Sequence, residues 1–68
     1  MTTTENGLTI VRHATDRMTS VYRGREYLGS AVPVFSSEHV IIRWSVAGPR
    51  KECNSVPNEQ AAIDYLAA

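Results

Sequence analysis

The residues most able to do chemistry in this 68-residue chain are one cysteine and two histidines. Cys53 with His13 or His39 would supply a thiol nucleophile and a base, the pair used in covalent catalysis. No local pattern places either histidine beside Cys53. A four-residue loop over residues 47–50 would instead pair Cys53 with Trp44, and a lone cysteine on such a strand is more often a small buried hydrophobe. The sequence therefore predicts no catalytic residue, and we expect a protein that is not an enzyme.

Metal and phosphate sites lack their usual spacing as well. A structural zinc site takes about four closely spaced ligands, whereas His13 and His39 stand far apart and the chain has no second cysteine. The stretch GREYLG at residues 24–29 carries two glycines but no strand-to-helix junction, so it does not predict a phosphate-binding loop. We expect no metal site and no cofactor.

The stretch VYRGREYLGS at residues 21–30 holds residues suited to binding. It predicts a hairpin with a type II′ turn on Gly24-Arg25, because that turn prefers glycine at its first central position. This register joins complementary side chains in three cross-strand pairs: Arg23 with Glu26, Tyr22 with Tyr27, and Val21 with Leu28. A turn on Arg23-Gly24 is the competing register, and it pairs the side chains less well.

Net charge is zero, but the charges are distributed unevenly. All seven basic residues lie between Arg12 and Lys51, where three acids leave 7 − 3 = +4, and four acids in the flanks give −4. Six of the seven cations are arginine, which is the better cation for planar contacts with carboxylate or phosphate. A GC-rich genome would produce the same bias, so the arginine content has two explanations.

The composition is typical of a soluble domain, with 43% hydrophobic and 21% charged residues. No stretch approaches the roughly 20 apolar residues of a membrane span, and residues 1–7 lack a signal-peptide pattern. One cysteine cannot form an internal disulfide. These features predict a reduced, cytoplasmic setting without membrane contact. They also predict that a partner or a second copy, as in a homodimer, supports so small a fold.

Periodicity predicts the elements that position these residues. Residues 1–6 are expected to be a flexible tail and residues 7–68 a single small domain. Alternating or β-branched stretches predict strands at 8–14, 19–23, 26–32, 39–46 and 51–56. A helix over 58–66 follows, capped by Asn58 or Ser55. The predicted fold class is α+β, an antiparallel meander of three to five strands with one C-terminal helix packed on one face.

One short helix covers only one face of such a sheet. The side chains predicted on the covered face are apolar, with Trp44 as the central core aromatic: Val40, Ile42, Trp44, Val46, Leu8, Ile10, Val21 and Leu28, met by Ala62, Ile63 and Leu66. The other face would then carry a mixture of aromatic, basic and aliphatic side chains: Val11, His13, Tyr22, Tyr27, His39, Ile41 and Arg43. We expect this uncovered face to be the one that meets other molecules.

The predicted function is that of a small non-enzymatic protein-binding module. Tyrosine, tryptophan and arginine are the residues enriched at interface hot spots. The predicted partner-binding residues lie on the uncovered face or at the hairpin tip: Tyr22, Arg23, Arg25, Tyr27, His39 and Arg43. Small inhibitors and accessory proteins of phages and mobile elements have this profile, and an inhibitor of a host defence complex is one example.

Nucleic-acid binding through the same face is the alternative. A three-stranded sheet with a C-terminal helix resembles the layout of AP2-like and integrase amino-terminal DNA-binding modules, which place strands in the major groove. The resemblance is one of layout alone and transfers no residue. Tyr22 and Tyr27 would stack on bases. A pI near 6.7 argues against this alternative, because a dedicated nucleic-acid binder is clearly basic.

Overall fold

Six antiparallel strands in chain order form one sheet, and a single helix follows them in this computed structural model, which describes all 68 residues. The strands are β1 (Thr2–Glu5), β2 (Leu8–Arg12), β3 (Thr19–Arg23), β4 (Glu26–Phe35), β5 (Ile41–Gly48) and β6 (Lys51–Val56), and the helix is α1 (Glu59–Ala67). The α+β class, the meander and the C-terminal helix are confirmed. The predicted count of three to five strands is wrong, because the sheet has six.

The sixth strand is β1, Thr2–Glu5, in the segment predicted to be a tail. Glu5 pairs with Leu8 across Asn6 and Gly7, whose φ angles of 50° and 77° are left-handed. An Asn-Gly pair with this geometry is typical of a type I′ hairpin turn. The strand was missed because its polar residues show no apolar alternation; it exists through backbone pairing with β2.

The β3–β4 hairpin turns on Gly24-Arg25 as predicted, and Tyr22 pairs with Tyr27. Beyond that pair a bulge shifts the register, so that Val21 lies opposite Gly29 and not opposite Leu28. Gly29 has a φ of 147°, a conformation that is essentially restricted to glycine. The predicted Val21–Leu28 pair is wrong because this extra residue was not visible in the alternation.

The β5–β6 hairpin has a two-residue turn, Pro49-Arg50, where a four-residue loop was predicted. This shorter turn and a bulge between Val46 and Gly48 together place Trp44 opposite Val56 and not opposite Cys53. Cys53 is exposed, and its Sγ lies 3.8 Å from the Ser45 Oγ. The expectation of a buried cysteine against the tryptophan is wrong because the register differs.

The core lies between α1 and one face of the sheet. Its buried apolar members are Leu8, Ile10, Val21, Ala31, Val46, Ala62, Ile63 and Leu66. Aliphatic side chains fill its centre, and Trp44 is only half-buried beside them. The prediction of Trp44 as the central core residue is therefore wrong.

Val40 and Ile42 were predicted on the covered face, yet they are 58% and 52% exposed. The helix has nine residues and is about 13 Å long. A six-stranded sheet is about 24 Å wide. Since β5 has eight residues and is about 26 Å long, α1 is also too short to cover this strand from end to end, and it leaves the beginning of β5 exposed.

A projecting hairpin extends β4 and β5 beyond the rest of the sheet. The pairing of β3 with β4 ends at Ala31, and the pairing of β6 with β5 ends at Trp44. Residues 32–35 and 41–43 therefore pair only with each other. We call residues 32–43 the arm, and its exposed large apolar side chains are Val32, Phe35, Val40, Ile41 and Ile42.

The helix begins as the sequence predicts. The side chain of Asn58 accepts a hydrogen bond from the amide of Ala61 at 2.8 Å, which is the N-cap interaction that satisfies a free helical donor. The first-turn residue Glu59 bonds Arg12 of β2, with a distance of 2.7 Å between the Arg12 Nη2 and the Glu59 Oε1. These contacts hold the start of the helix to the sheet. Neither its length nor its hydropathy would let α1 cross a bilayer.

Candidate functional site

The face of the sheet opposite α1 is not covered by any element. Residues directly opposite each other share a face, and so do alternate residues along a strand, so buried Ile10 and Val21 identify the covered side. The register places these residues on the other side, which we call the tyrosine face: Thr2, Thr4, Thr9, Val11, Ser20, Tyr22, Tyr27, Ser30, Val32, Val34, Arg43, Ser45, Ala47 and Ser55. Most of them carry a hydroxyl group, and Arg43 is the one charged member.

The two tyrosines pack against each other near the turn of the β3–β4 hairpin, one pair before its end. The ring centroids of Tyr22 and Tyr27 are 5.4 Å apart with a tilt of 52°, a favourable aromatic geometry. Tyr27 is 42% exposed. The pair therefore offers a broad and ordered aromatic surface.

A chain of hydroxyl groups holds Tyr27 in place. The Tyr27 hydroxyl bonds the Ser30 Oγ, which lies 3.1 Å from the Ser20 Oγ. The Ser20 Oγ in turn lies 3.4 Å from His13 Nε2. A serine near a histidine is also the beginning of a nucleophilic site, but Ser20 is only 3% exposed and its hydroxyl is occupied by Ser30. The chain therefore orders this part of the face.

Arg23 lies on the covered side, in contrast to the prediction. It pairs with Leu8, whose side chain is in the core. Its Nη2 donates a 2.8 Å hydrogen bond to the carbonyl oxygen of Ala67 at the end of α1. A cation at this position satisfies a free helical carbonyl and opposes the negative end of the helix dipole. Arg23 thus stabilises the docked helix.

Two other predicted arginines are free. Arg25 in the turn and Arg43 on the tyrosine face are exposed, and neither takes part in an ion pair. The acid nearest in sequence to Arg25, Glu26, instead pairs with Arg50 at 3.2 Å across the neighbouring hairpin tip. Arg23 was predicted to pair with Glu26; the two lie opposite each other in the ladder, but the Glu26 carboxylate pairs with Arg50 and the Arg23 guanidinium bonds Ala67.

His39 lies at the other end of β4 from the tyrosine pair. The strand has ten residues and is therefore roughly 30 Å long. His39 lines a shallow cleft of about 260 Å³ together with Arg17 and Phe35, which we call the arm cleft. Sequence reasoning missed Arg17 and Phe35, and no local pattern marks them, because the β2–β3 loop and β4 meet only in the folded chain.

The strongest polar cluster of the molecule lies on the covered side. The Glu59 carboxylate accepts hydrogen bonds from the Arg12 guanidinium and, at 2.9 Å, from the Thr19 hydroxyl. The hydrogen bond from Arg12 holds the pKa of Glu59 below its ordinary value and, conversely, raises the pKa of Arg12. Both groups are partly exposed, so this cluster orients α1 and adds modest stability.

A second cavity, of about 140 Å³, lies between the hairpin tips and the end of α1. Its lining includes Arg23, Arg50 and Glu26, whose charges are occupied by the helix end or by each other. No three histidine, cysteine or acidic side chains converge in a way that would hold a metal ion.

Comparison with known proteins identifies no relative of this chain. No protein-family model, no curated protein and no solved structure matches the chain. Any function must therefore be inferred from the geometry of the tyrosine face and the arm.

Proposed function

We propose that the protein is a small non-enzymatic binding module that docks on a partner protein through the tyrosine face. The observation that carries this proposal is the composition of the face: aromatic and hydroxyl side chains make up most of it, and its single charge, Arg43, lies opposite Val34 in the arm. Depletion of charge with enrichment of tyrosine and arginine is typical of the central part of protein interfaces. Tyrosine and serine also dominate antibody binding loops, where rigid aromatic contacts combine with adaptable hydrogen bonds.

The residues proposed to make the contact are Tyr22 and Tyr27, with Arg25 in the turn beside them and Arg43 at the far end of the same face. Tyr22 and Tyr27 are ordered before binding by their mutual packing and by the bond of Tyr27 to Ser30. A partner therefore pays little conformational entropy to bury them. Arg23 leaves the proposed set because its guanidinium holds the end of α1.

A protein this small that acts by occupying a surface is suited to inhibition or to an accessory role. We propose that class, of the kind that phages and mobile elements encode, with a host defence complex as one possible target. The support is the combination of an uncovered face with the absence of an exposed nucleophile–base pair on it: Ser20 is buried, and Cys53 contacts Ser45.

Nucleic-acid binding is the second candidate, favoured by the unpaired guanidinium groups of Arg25 and Arg43. Stacking on Tyr22 and Tyr27 would complement them. Phosphate binding normally uses several cations along a strip, and the tyrosine face offers one. Protein docking is therefore the primary proposal.

Affinity capture from an extract of the native host tests the proposal with three baits: the wild type, the double variant Tyr22→Ser with Tyr27→Ser, and Gln60→Ala. Gln60 is exposed on α1, away from the tyrosine face, so that variant is the matched control. We expect the wild type and the control to recover the same protein in nuclease-treated extract. The double tyrosine variant should lose it.

The affinity for labelled duplex and single-stranded DNA, measured at several salt concentrations, tests the second candidate, nucleic-acid binding. A phosphate-binding protein loses affinity steeply between about 50 and 200 mM salt. Micromolar DNA binding with that salt dependence, together with capture that disappears after nuclease treatment, would overturn the primary proposal in favour of the second candidate. Equal capture of the protein by all three baits would show that the tyrosine face does not make the contact.

A further inference from the structure

The arm cleft combines three side chains of different chemistry at the end of the molecule remote from the tyrosine pair. Phe35 supplies an aromatic surface, and the guanidinium carbon of Arg17 lies 5.2 Å from the centre of its ring, within cation–π range. Neither Arg17 nor His39, the third residue, forms an ion pair with an acid. The cleft therefore presents an unpaired cation and an imidazole beside an apolar surface.

The backbone at both polar residues of the cleft is strained. Arg17 and His39 have φ angles of 58° and 63°, and only Asn6 shares this left-handed conformation among the non-glycine residues. Asn6 is explained by its type I′ turn. Neither the β2–β3 loop nor the β4–β5 loop contains a glycine that would relieve the strain. The hydrogen bonds that close these loops, from the His13 amide to the Met18 carbonyl and from the Ser36 amide to the Val40 carbonyl, account for a left-handed residue near the end of each hairpin loop. The two loops thus fix the positions from which Arg17 and His39 reach the cleft, and the backbone conformation by itself assigns them no role.

Neighbouring charges restrict the kind of anion that fits. Asp16 and Glu38 precede Arg17 and His39 in the chain but do not line the cleft, and the Asp16 carboxylate accepts a hydrogen bond from the amide of Met18. A polyanion, such as a nucleic-acid backbone or an anionic bilayer, would bring repeated negative charges against both acids. A single carboxylate would meet only the guanidinium and the imidazole.

The apolar surface continues from the cleft along the arm. Ile41 lies directly opposite the cleft residue Phe35 in the ladder, and it is exposed together with its neighbours Val40 and Ile42. Contiguous exposed apolar side chains mark interaction sites. Insertion into a lipid surface would first have to bury Ser37 and Glu38 at the tip of the loop, which is unfavourable for a carboxylate. A protein surface, which supplies apolar and acidic groups together, fits both features.

We propose that the arm cleft binds an aspartate or glutamate side chain of a partner protein, flanked there by apolar residues. The carboxylate lies on the Arg17 guanidinium, whose planar donors match it in a two-point contact. The apolar neighbours lie on Phe35 and Ile41. This site does not depend on the tyrosine face, so each proposal stands or falls separately.

Amide chemical shifts in ¹⁵N-labelled full-length protein test the proposal with two capped peptides, Ser-Leu-Glu-Leu-Ser and its counterpart with glutamine at the centre. We expect the glutamate peptide to shift the amides of residues 17, 35 and 39 at millimolar concentration. The glutamine peptide should bind about tenfold more weakly, as expected for loss of one charged hydrogen bond.

Two variants locate the binding. Arg17→Gln should weaken the glutamate peptide by the same factor of about ten, while the exposed arginine of the opposite end, tested as Arg50→Gln, should leave its affinity unchanged. The amide spectrum of each variant shows whether it is folded, and Phe35→Leu provides a second substitution in the cleft.

Three results would overturn the proposal: absence of shifts, equal affinity for both peptides, or stronger shifts at the same amides with duplex DNA or anionic vesicles. If the amides of the cleft shift with protein concentration in the absence of peptide, the cleft is a site of self-association, and the proposal is also overturned.

Discussion

The two faces of the sheet differ in what holds their side chains in place. On the covered face, Ile10, Val21 and Val46 are at most 1% exposed and pack beneath α1. On the tyrosine face, Tyr22 and Tyr27 are ordered by one aromatic contact and a chain of hydroxyl groups. Burial stabilises by about 25 cal/mol per Å² of apolar surface, whereas a hydrogen bond exchanged with water contributes little net. The covered face thus provides most of the stability, and the tyrosine face contributes less to it.

The largest expected effect separates two isoleucines. Ile10→Ala removes a fully buried side chain and should lower the free energy of unfolding by about 2–5 kcal/mol, much of the total for so short a chain. Ile42→Ala, at a site that is 52% exposed, should change it by less than about 0.5 kcal/mol. Urea unfolding followed by Trp44 fluorescence measures both. Equal losses would mean that the arm belongs to the core.

The next effect concerns the glycine that lets the helix approach the sheet. A Cβ on Gly29 would lie 2.5 Å from both the Leu66 Cδ2 and the Ala47 carbonyl oxygen. Gly29→Ala should therefore cost about 3 kcal/mol, since overpacking adds to backbone strain. Gly24→Ala, where the added atom meets nothing, should cost only about 1 kcal/mol of backbone strain. Thermal unfolding of the two variants compares them, and a smaller loss for Gly29→Ala would show that the bulge is not tightly packed.

Glu59 gives the covered face its expected pH dependence. Its pKa is lowered from the ordinary value of 4.5, first by the hydrogen bond from Arg12. A carboxyl group with a depressed folded pKa adds stability above its unfolded pKa, and that stability is lost as pH falls through the folded pKa. The loss should therefore begin near pH 4.5 and continue below it.

Glu59→Gln should reduce that acid dependence and cost about 1 kcal/mol or less at neutral pH, because both partners are partly exposed. Glu38→Gln is the matched control, since Glu38 forms no ion pair. Denaturant titrations at several pH values measure the effect. An unchanged acid slope in Glu59→Gln would assign the pH dependence to another carboxyl group.

The smallest expected effect on stability is at the tyrosine pair. Tyr27→Ala loses one exposed aromatic contact and should cost less than about 1 kcal/mol. Tyr65→Ala should cost more, because Tyr65 packs against the core and its hydroxyl donates a 2.8 Å hydrogen bond to the Glu52 carbonyl oxygen. Parallel urea titrations rank the two variants. The reverse order would mean that the tyrosine face serves stability and would weaken its assignment to binding.

Local chemistry made part of the fold predictable. Glycine first in a two-residue turn predicts the Gly24-Arg25 hairpin and the Tyr22–Tyr27 pair, and Asn58 before an alanine-rich stretch predicts the start of α1. The strand β1 was predictable too, because Asn6-Gly7 is a strong hairpin signal. These features depend on backbone preferences and on neighbours within a few residues, so they can be read along the chain.

The sequence by itself therefore determined the types of the elements from β2 to α1, the Gly24-Arg25 turn, and the tyrosine pair on an uncovered face. Only the tertiary structure decided that Arg23 holds the end of α1, that a bulge places Gly29 opposite Val21, and that Arg17 meets Phe35 and His39. A bulge changes which face each later residue occupies, and helix length limits how much of a sheet is covered. Contacts between distant loops depend on both, and for that reason no local pattern in the chain predicts them.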